Sequence, residues 1–277
     1  TFVYFRNGEL IAEASKGGIY DSSIDHAWVH LPSSGENLLV AGSVAGRAED
    51  IQRLFIESDL RREVGDDLDE WAMSGNVTTQ LELDLPLAGK RSPSVLVQSE
   101  LFEGGFNSEK ERINFTNIKG LIRYDSTSGL SAPKLTASLF DQSLVANIKT
   151  QKQKTQISIK SKVATDYLKR WLELDLLSIM KGTLNYQARV DLCPNKSCNK
   201  LVITSDLKGV EVSAPAPIGK GITDKLALTV VSDLGTRYSD ERSVIRLNMG
   251  NQLRGVMVNK GDQIERARFS LGGKKPE

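Results

Sequence analysis

The two cysteines are the residues whose type and spacing most directly predict a chemical feature. Cys193 and Cys198 enclose the turn-forming residues Pro-Asn-Lys-Ser, and the runs on either side alternate between apolar and polar residues. The cysteines should therefore flank a hairpin loop, where paired strand residues lie within the Cα separation that a disulfide needs. The alternative, half of a zinc site, requires four ligands, and the sequence has no other cysteine. The predicted disulfide indicates an oxidising compartment such as the periplasm.

The two histidines, His26 and His30, could bind a metal ion together with a carboxylate such as Asp25. On a strand, however, residues four positions apart are separated by about 13 Å, which is too far for one ion. We expect both histidines on a polar face or at a rim, with no metal site and no cofactor. The sequence also has no glycine-rich phosphate loop, nucleophile elbow or metalloprotease helix, so it does not indicate an enzyme.

Charge and composition argue against several other classes of protein. The 277 residues include 36 Lys and Arg against 35 Asp and Glu, a net charge of +1, and the charges are well mixed. Proteins that bind nucleic acid gather phosphates with a basic surface, so no nucleic acid partner is expected. No apolar run approaches the roughly 20 residues of a membrane-spanning helix. Both ends read as interrupted strands, so we expect the chain to be part of a longer protein.

Alternation of apolar and polar residues dominates the sequence and predicts a mainly β fold. In the segment 77–87 the odd positions are mostly apolar, so one face of this strand should be apolar and the other polar. About sixteen such strands fit the chain, separated by turns rich in Gly, Asn, Asp and Ser. Two short helices are predicted between them, at Ala48–Val64 with Asp50 as its N-cap and at Thr165–Leu172.

The chain also contains a predicted internal repeat of about 107 residues. Shifted by 107, Ser74–Leu85 lies on Lys181–Leu192 without gaps, with four identical pairs of residues, one of which is Gly75 and Gly182. Ser43–Ala45 before the first helix similarly resembles Lys162–Ala164 before the second. The predicted organisation is the end of a preceding β-repeat at 1–47 and two units of a helix plus a β-meander, at 48–163 and 164–277.

A sheet with one apolar face needs a cover, which can be a second sheet, closure of the sheet on itself or a bound guest. A compact sandwich is an ordinary solution for a chain of this length. The repeat favours an elongated, curved antiparallel sheet that forms a groove, because units added end to end extend a sheet. The residues expected to line the groove are Leu81, Leu83, Leu85, Val95, Val97, Leu201, Ile203, Leu226, Leu228 and Val230.

Three stretches resemble the AsmA-like YhdP family. Asp206–Lys220 (DLKGVEVSAPAPIGK) is similar to a family stretch of the form DL-x-G-L … LP-x-PLGK. Gly42–Leu87 is similar to a passage that ends in L-x-L-x-x-PL, and Leu135–Ile148 resembles a recurrent strand pair. In the last stretch Asp141 stands where the family often has glycine. The resemblance covers most of the chain through loose motifs that follow the hydrophobic pattern.

The resemblance implies a segment of a bacterial envelope protein that is anchored by an inner-membrane helix and reaches toward the outer membrane. Its periplasmic part is expected to be a β-groove that carries phospholipid between the membranes, a role in outer-membrane homeostasis, without catalytic residues. The expected partner is therefore phospholipid, and the expected compartment is the periplasm. The alternative is a structural or adhesive β-scaffold of the cell envelope, with a sealed interior, that binds protein or glycan on its polar face.

Overall fold

The structure, a computed structural model, describes residues 2–57, 71–88, 91–109, 112–194, 198–234, 242–260 and 263–272. These residues form 18 β-strands, two α-helices and a short 3₁₀ helix. The predicted mainly β, antiparallel fold with two helices is confirmed, and the strands slightly exceed the number expected. The chain divides into two compact units, unit 1 (Thr1–Leu139) and unit 2 (Phe140–Glu277).

The described residues of unit 1 form an open antiparallel sheet of nine strands and a helix. Its elements are β1 (Phe2–Arg6), β2 (Glu9–Ala14), β3 (Gly17–Ile19), β4 (Ser22–Leu31), β5 (Asn37–Arg47), α1 (Ala48–Glu57), β6 (Ala72–Pro86), β7 (Ser94–Ser108), β8 (Ile113–Asp125) and β9 (Gly129–Leu139). Most strands pair with their sequence neighbours, and β2 pairs with β4 as well as with β1. The helix begins at the predicted residue, and its predicted continuation to Val64 falls on residues 58–64, outside the described residues.

In the part of unit 2 that the structure describes there are also nine strands, all in antiparallel pairs. Its elements are β10 (Gln142–Gln151), β11 (Lys154–Ala164), α2 (Thr165–Leu172), the 3₁₀ helix (Asp175–Ile179), β12 (Met180–Leu192), β13 (Lys200–Ser205), β14 (Val210–Val212), β15 (Leu228–Asp233), β16 (Arg242–Met249), β17 (Leu253–Lys260) and β18 (Gln263–Leu271). The start of β12 pairs with β14, whereas the end of β12 pairs with β13. The bounds predicted for the second helix are confirmed.

Each helix packs on one end of its sheet and closes a core cluster there. In unit 1 the helical residues Ala48 and Ile51 are buried against Val77 of β6 and Leu101 of β7. The cluster of unit 2 is larger, and Tyr167 and Leu168 of α2 pack against it. Its buried members are Val163, Leu184, Leu207, Val210, Val212 and Met249. Both helices therefore cover apolar side chains that a sheet alone leaves open to water.

The hairpins that follow the two helices have matching registers. Leu83 pairs with Val95 across β6 and β7, and Val190 pairs with Leu201 across β12 and β13. The shift of 107 residues for the first strand and 106 for the second carries one pair onto the other. The segments before the helices do not follow the alignment suggested by the sequence, which places Val44 on Val163. Val163 pairs with Leu184, and the shift of 107 residues carries Val77 onto Leu184. The ladder partner of Val77 is Gly46, two residues after Val44.

Gly75 and Gly182 occupy the same place in these hairpins and share a backbone requirement. Their φ angles are 94° and 125°, a region that favours glycine. A Cβ on Gly75 would lie 2.6 Å from the carbonyl oxygen of Glu103, and one on Gly182 would collide with the carbonyl oxygen of Gly209. Both glycines therefore allow the neighbouring backbone to pass close by. Asp141, where the family often has glycine, has a φ of 57°, a conformation that aspartate tolerates.

Candidate functional site

The candidate site in each unit is the part of the apolar sheet face that extends past the cluster under the helix. On β6, Leu81, Leu83 and Leu85 alternate with polar residues such as Glu82, which point to the opposite side. All three leucines are half-buried, whereas Val77 beneath α1 is only 5 % exposed. The strand therefore carries its apolar face well beyond the end that the helix covers.

Cross-strand pairing extends the leucines of unit 1 into rows. Directly paired residues of an antiparallel sheet point to the same side, and Leu81 pairs with Val97 while Leu83 pairs with Val95. The five residues of unit 1 that were predicted to line a groove therefore share one face. The rows are Ala14, Ala27, Gly42, Leu81, Val97, Tyr124 and Leu130, and next to it Val3, Ala12, Val29, Val40, Leu83 and Val95.

Unit 2 has two corresponding rows. The first is Ala146, Ile159, Ala188, Ile203, Val230, Leu247, Gly255 and Phe269, and the second is Ile148, Ile157, Val190, Leu201, Ser232, Ile245, Met257 and Ala267. Leu228 points to the same side, two residues before Val230 on β15. We call the rows of the two units the outer rows.

The placement of Leu226 on a strand is wrong. The residue precedes β15, and its N–H donates to the carbonyl oxygen of Asp206 at 2.9 Å. Its side chain packs against the core cluster of unit 2 together with Leu228. Leu226 therefore belongs to the covered end of the sheet because the chain joins β15 two residues later than the alternation predicts.

On β6 and on β12, a residue that bears a hydroxyl lies between the covered end and the outer rows. In unit 1, Thr79 lies between Val77 and Leu81 on the same face of β6, and its Oγ1 is 2.9 Å from Oγ of its ladder partner Ser99. In unit 2, Tyr186 holds the corresponding place on β12 and pairs with Ser161 of β11. Burial raises the pKa of Tyr186 above its ordinary value of 10.0, although a hydrogen bond with Ser161 lowers it. We call these four residues the hydroxyl border.

The first helix is held by polar contacts. Ser22 on β4 donates its hydroxyl to Oδ2 of Asp50 at 2.5 Å in a buried site, and the same oxygen of Ser22 accepts the N–H of Arg47. The expectation that Asp50 caps the helix is therefore wrong, because the residue lies inside the first turn and its carboxylate is taken by a distant strand. At the other end of α1, the hydroxyl of Tyr20 donates to Glu57 at 2.6 Å, and Arg53 donates to the same carboxylate at 2.8 Å.

The second helix is held mainly by aromatic rings. The ring of Phe140 lies 4.7 Å from that of Tyr167 and 5.2 Å from that of Trp171. The first residue of the helix, Thr165, is buried and donates its hydroxyl to the carbonyl oxygen of Gly182 at 3.2 Å. Both helices are thus fixed on the sheet, although by different kinds of contact.

Lys220 has a structural role that sequence reasoning missed. Its Nζ donates to the carbonyl oxygens of Leu207 at 3.0 Å and Gly221 at 2.8 Å, and also to that of Val210. These contacts hold the segment 207–221 against the core, where Leu207 and Val210 are fully buried. The Gly-Lys pair after Pro-Ala-Pro-Ile is the only sequence feature that points to this role of Lys220. The carbonyl oxygens that surround its ammonium group are set by the conformation of the loop backbone.

The remaining candidates from the sequence are the two cysteines and the two histidines. Cys193 and Cys198 are joined in a disulfide between β12 and β13, with Cα atoms 5.7 Å apart. His30 Nε2 lies 2.6 Å from a carboxylate oxygen of Glu9, and His26 is exposed. Within the described residues, no group of three His, Cys, Asp or Glu side chains could hold a metal ion.

Comparisons with known proteins add the following findings. The family model described as "YhdP protein" matches residues 2–277. The intermembrane phospholipid transporter YhdP of Escherichia coli (strain K12) is 25% identical over 210 residues, which are 72% of this chain and 16% of that protein. The chain therefore spans about a sixth of the length of this relative. No solved structure matches the chain. Of the helices in the described ranges, none has the length and apolar character needed to cross a membrane.

Proposed function

Because the chain belongs to the YhdP protein family, we propose that it is a periplasmic segment of an intermembrane phospholipid transport protein and shields acyl chains on its apolar sheet face. The observation that carries this proposal is the set of outer rows, which continue the apolar face beyond each helix. Burial of a methylene group contributes about 0.8 kcal/mol, so binding of an acyl tail to these rows is favourable. Neighbouring positions along a row resemble one another, and a tail can therefore slide from strand to strand.

The compartment and the wider protein are part of the same proposal. The disulfide between Cys193 and Cys198 supports an oxidising compartment, which in a bacterial envelope is the periplasm. The phospholipid transport named for the E. coli relative belongs to a protein of which this chain matches 16%. Anchoring in the inner membrane and reach toward the outer membrane are functions that we assign to the parent protein as a whole.

We also propose that each helix with its β-meander is one repeat of a groove. The matching registers of the β6–β7 and β12–β13 hairpins support this, as do Gly75 and Gly182 at the same place in each hairpin. A repeated element gives every unit the same arrangement of covered end, hydroxyl border and outer rows. The same tail-binding surface then recurs wherever the repeat does.

Two variants with the same substitution on opposite faces test the transport proposal. Leu83→Asp places a carboxylate in an outer row, whereas Leu96→Asp places one on the polar face, where Leu96 pairs with Glu82 and Asp125. An unpaired charge is expensive to bury under a tail, so we expect Leu83→Asp to lower bound phospholipid by about tenfold or more. Leu96→Asp should leave it unchanged. Phospholipid extracted from the purified chain, with urea unfolding as a check on folding, gives the measurement.

The alternative scaffold function predicts a different outcome. If the outer rows were sealed against other protein, the wild-type chain would carry no phospholipid, and Leu83→Asp would destabilise the fold without changing lipid content. Equal loss of lipid from both variants would also contradict the proposal, because the effect would not depend on the face.

A further inference from the structure

We infer that the hydroxyl border is the inner limit of the acyl-binding surface in each unit. Lipid tails then lie on the outer rows and do not reach the cluster under the helix. The inference rests on the proposed function and adds where on the apolar face a tail is held.

The order of residues along β6 is the first argument. Every second residue points to the apolar face, at intervals of about 7 Å. From the helix outward these residues are Val77, Thr79, Leu81, Leu83 and Leu85. Val77 is covered by α1, Thr79 carries a hydroxyl, and the three leucines span about 14 Å of uninterrupted apolar strand. The face therefore changes character once, at Thr79.

The chemistry of two facing hydroxyls is the second argument. Thr79 and Ser99 can share one hydrogen bond, which leaves one hydroxyl proton in need of another acceptor. Ser99 is half-buried, so water can supply that acceptor while nothing lies over the pair. A tail laid across the pair would remove the water and leave a buried donor unsatisfied. The outer-row residues of the same hairpin, Leu81, Leu83, Val95 and Val97, carry no hydroxyl and therefore no such penalty.

The fixed position of the helix is the third argument. The buried contact between Ser22 and Asp50 and the cluster formed by Ala48 and Ile51 keep α1 on Val77. A tail that passed the border would therefore have to displace a packed helix. Along β12 of unit 2 the order of residues is the same, with α2 over the cluster that contains Leu184 and with Tyr186 as the next residue outward, its ring packed against the edge of that cluster.

Photocrosslinking residues placed along one strand face test the inference. In the full chain, a benzoylphenylalanine at Leu83 reports on an outer row, one at Ile122 reports on the border, and one at Glu82 is the control on the polar face. Ile122 pairs with Ser99 and is half-buried next to the core of unit 1. The probe is radiolabelled phosphatidylglycerol in vesicles of phosphatidylethanolamine and phosphatidylglycerol. We expect about tenfold more adduct at Leu83 than at Ile122, the factor that corresponds to one unsatisfied buried hydroxyl.

A second set of variants changes the border itself. Thr79→Val with Ser99→Ala removes both hydroxyls while keeping the size of the side chains nearly constant. Adduct formation at Ile122 should then rise several-fold, and adduct formation at Leu83 should stay the same. Equal labelling of Leu83 and Ile122 in the unchanged border, or no response of Ile122 to the double variant, would overturn the inference and leave the proposed function intact. Labelling at Leu83 no stronger than at Glu82 would instead overturn the proposed function.

Discussion

The helices of the two units cover the same end of their sheets but are held there by different interactions. The contacts of α1 are largely polar, with the Ser22–Asp50 pair in a buried site and Tyr20, Arg53 and Glu57 at the surface. The contacts of α2 are largely apolar, with Phe140 against two aromatic rings and a core cluster of six buried residues.

The fold requires a helix at this place in both units, but it does not determine which contacts hold the helix there. A sheet that ends in buried apolar residues such as Val77 and Leu184 needs a cover over them, and a short helix supplies it in both units. The contacts that fix the helix are not dictated by that need. We therefore expect unit 1 to respond to changes of charge and unit 2 to respond to changes of side-chain volume.

The largest expected effect is the loss of packing in unit 2. Leu207 is 0 % exposed, and Leu207→Ala should lower the free energy of unfolding of unit 2 by about 2–5 kcal/mol, toward the upper end of that range. Leu101, a buried leucine of the core of unit 1, is 6 % exposed within a smaller cluster, so Leu101→Ala should cost less. Urea unfolding combined with hydrogen exchange of the β12 and β6 amides measures the two effects separately. A smaller loss for Leu207→Ala than for Leu101→Ala would contradict the comparison.

The sequence predicts best the features that depend on alternation. The face to which Leu81 or Ile203 points follows from its position relative to its neighbours, and the starts of both helices follow from local apolar spacing. The same periodicity leaves the alignment of the predicted repeat open by two residues. A pattern with a period of two looks identical after a shift of two, so the sequence aligns Val44 with Val163, whereas the ladder pairs Gly46 with Val77 and Val163 with Leu184.

Features that depend on distant partners could not be predicted in this way. Asp50 has the residue type and position of an N-cap, but Ser22, 28 residues earlier, takes its carboxylate. The ammonium of Lys220 is surrounded by carbonyls whose directions depend on the loop backbone. The hydroxyl border also requires knowing that Thr79 and Ser99 are ladder partners. In each case the deciding information is the position of residues far along the chain, which alternation alone leaves undetermined.

The hairpins at the opposite end of the strands also differ between the two units, and changes there should have an intermediate effect on the free energy of unfolding. Unit 2 closes its hairpin with the Cys193–Cys198 disulfide, whereas unit 1 has an exposed ion pair between Arg91 and Asp84 at 3.0 Å. Replacing both cysteines by serine should lower the free energy of unfolding of unit 2 by about 2 kcal/mol, from the entropy of a short loop. Arg91→Gln should cost less than about 1 kcal/mol in unit 1. Equal effects in urea unfolding would show that the disulfide adds nothing beyond a surface contact.

The smallest expected effect is a dependence on pH that is confined to α1. The hydroxyl of Tyr20, followed by Arg53, lowers the pKa of Glu57 below its ordinary value of 4.5. A carboxylate with a lowered pKa stabilises the folded state above its unfolded pKa, and this contribution is lost as the pH falls through the folded value. The protection of the amides at the end of α1 against exchange should therefore fall below pH 4.5, while the protection of α2, which packs mainly through aromatic contacts, should change less. Tyr20→Phe removes the largest cause, so the pKa of Glu57, measured from its carboxyl carbon by NMR, should move back toward 4.5. Two results would contradict the conclusion that polar contacts stabilise α1 but not α2. They are an unchanged pKa of Glu57 in that variant and an equal loss of amide protection in both helices at low pH.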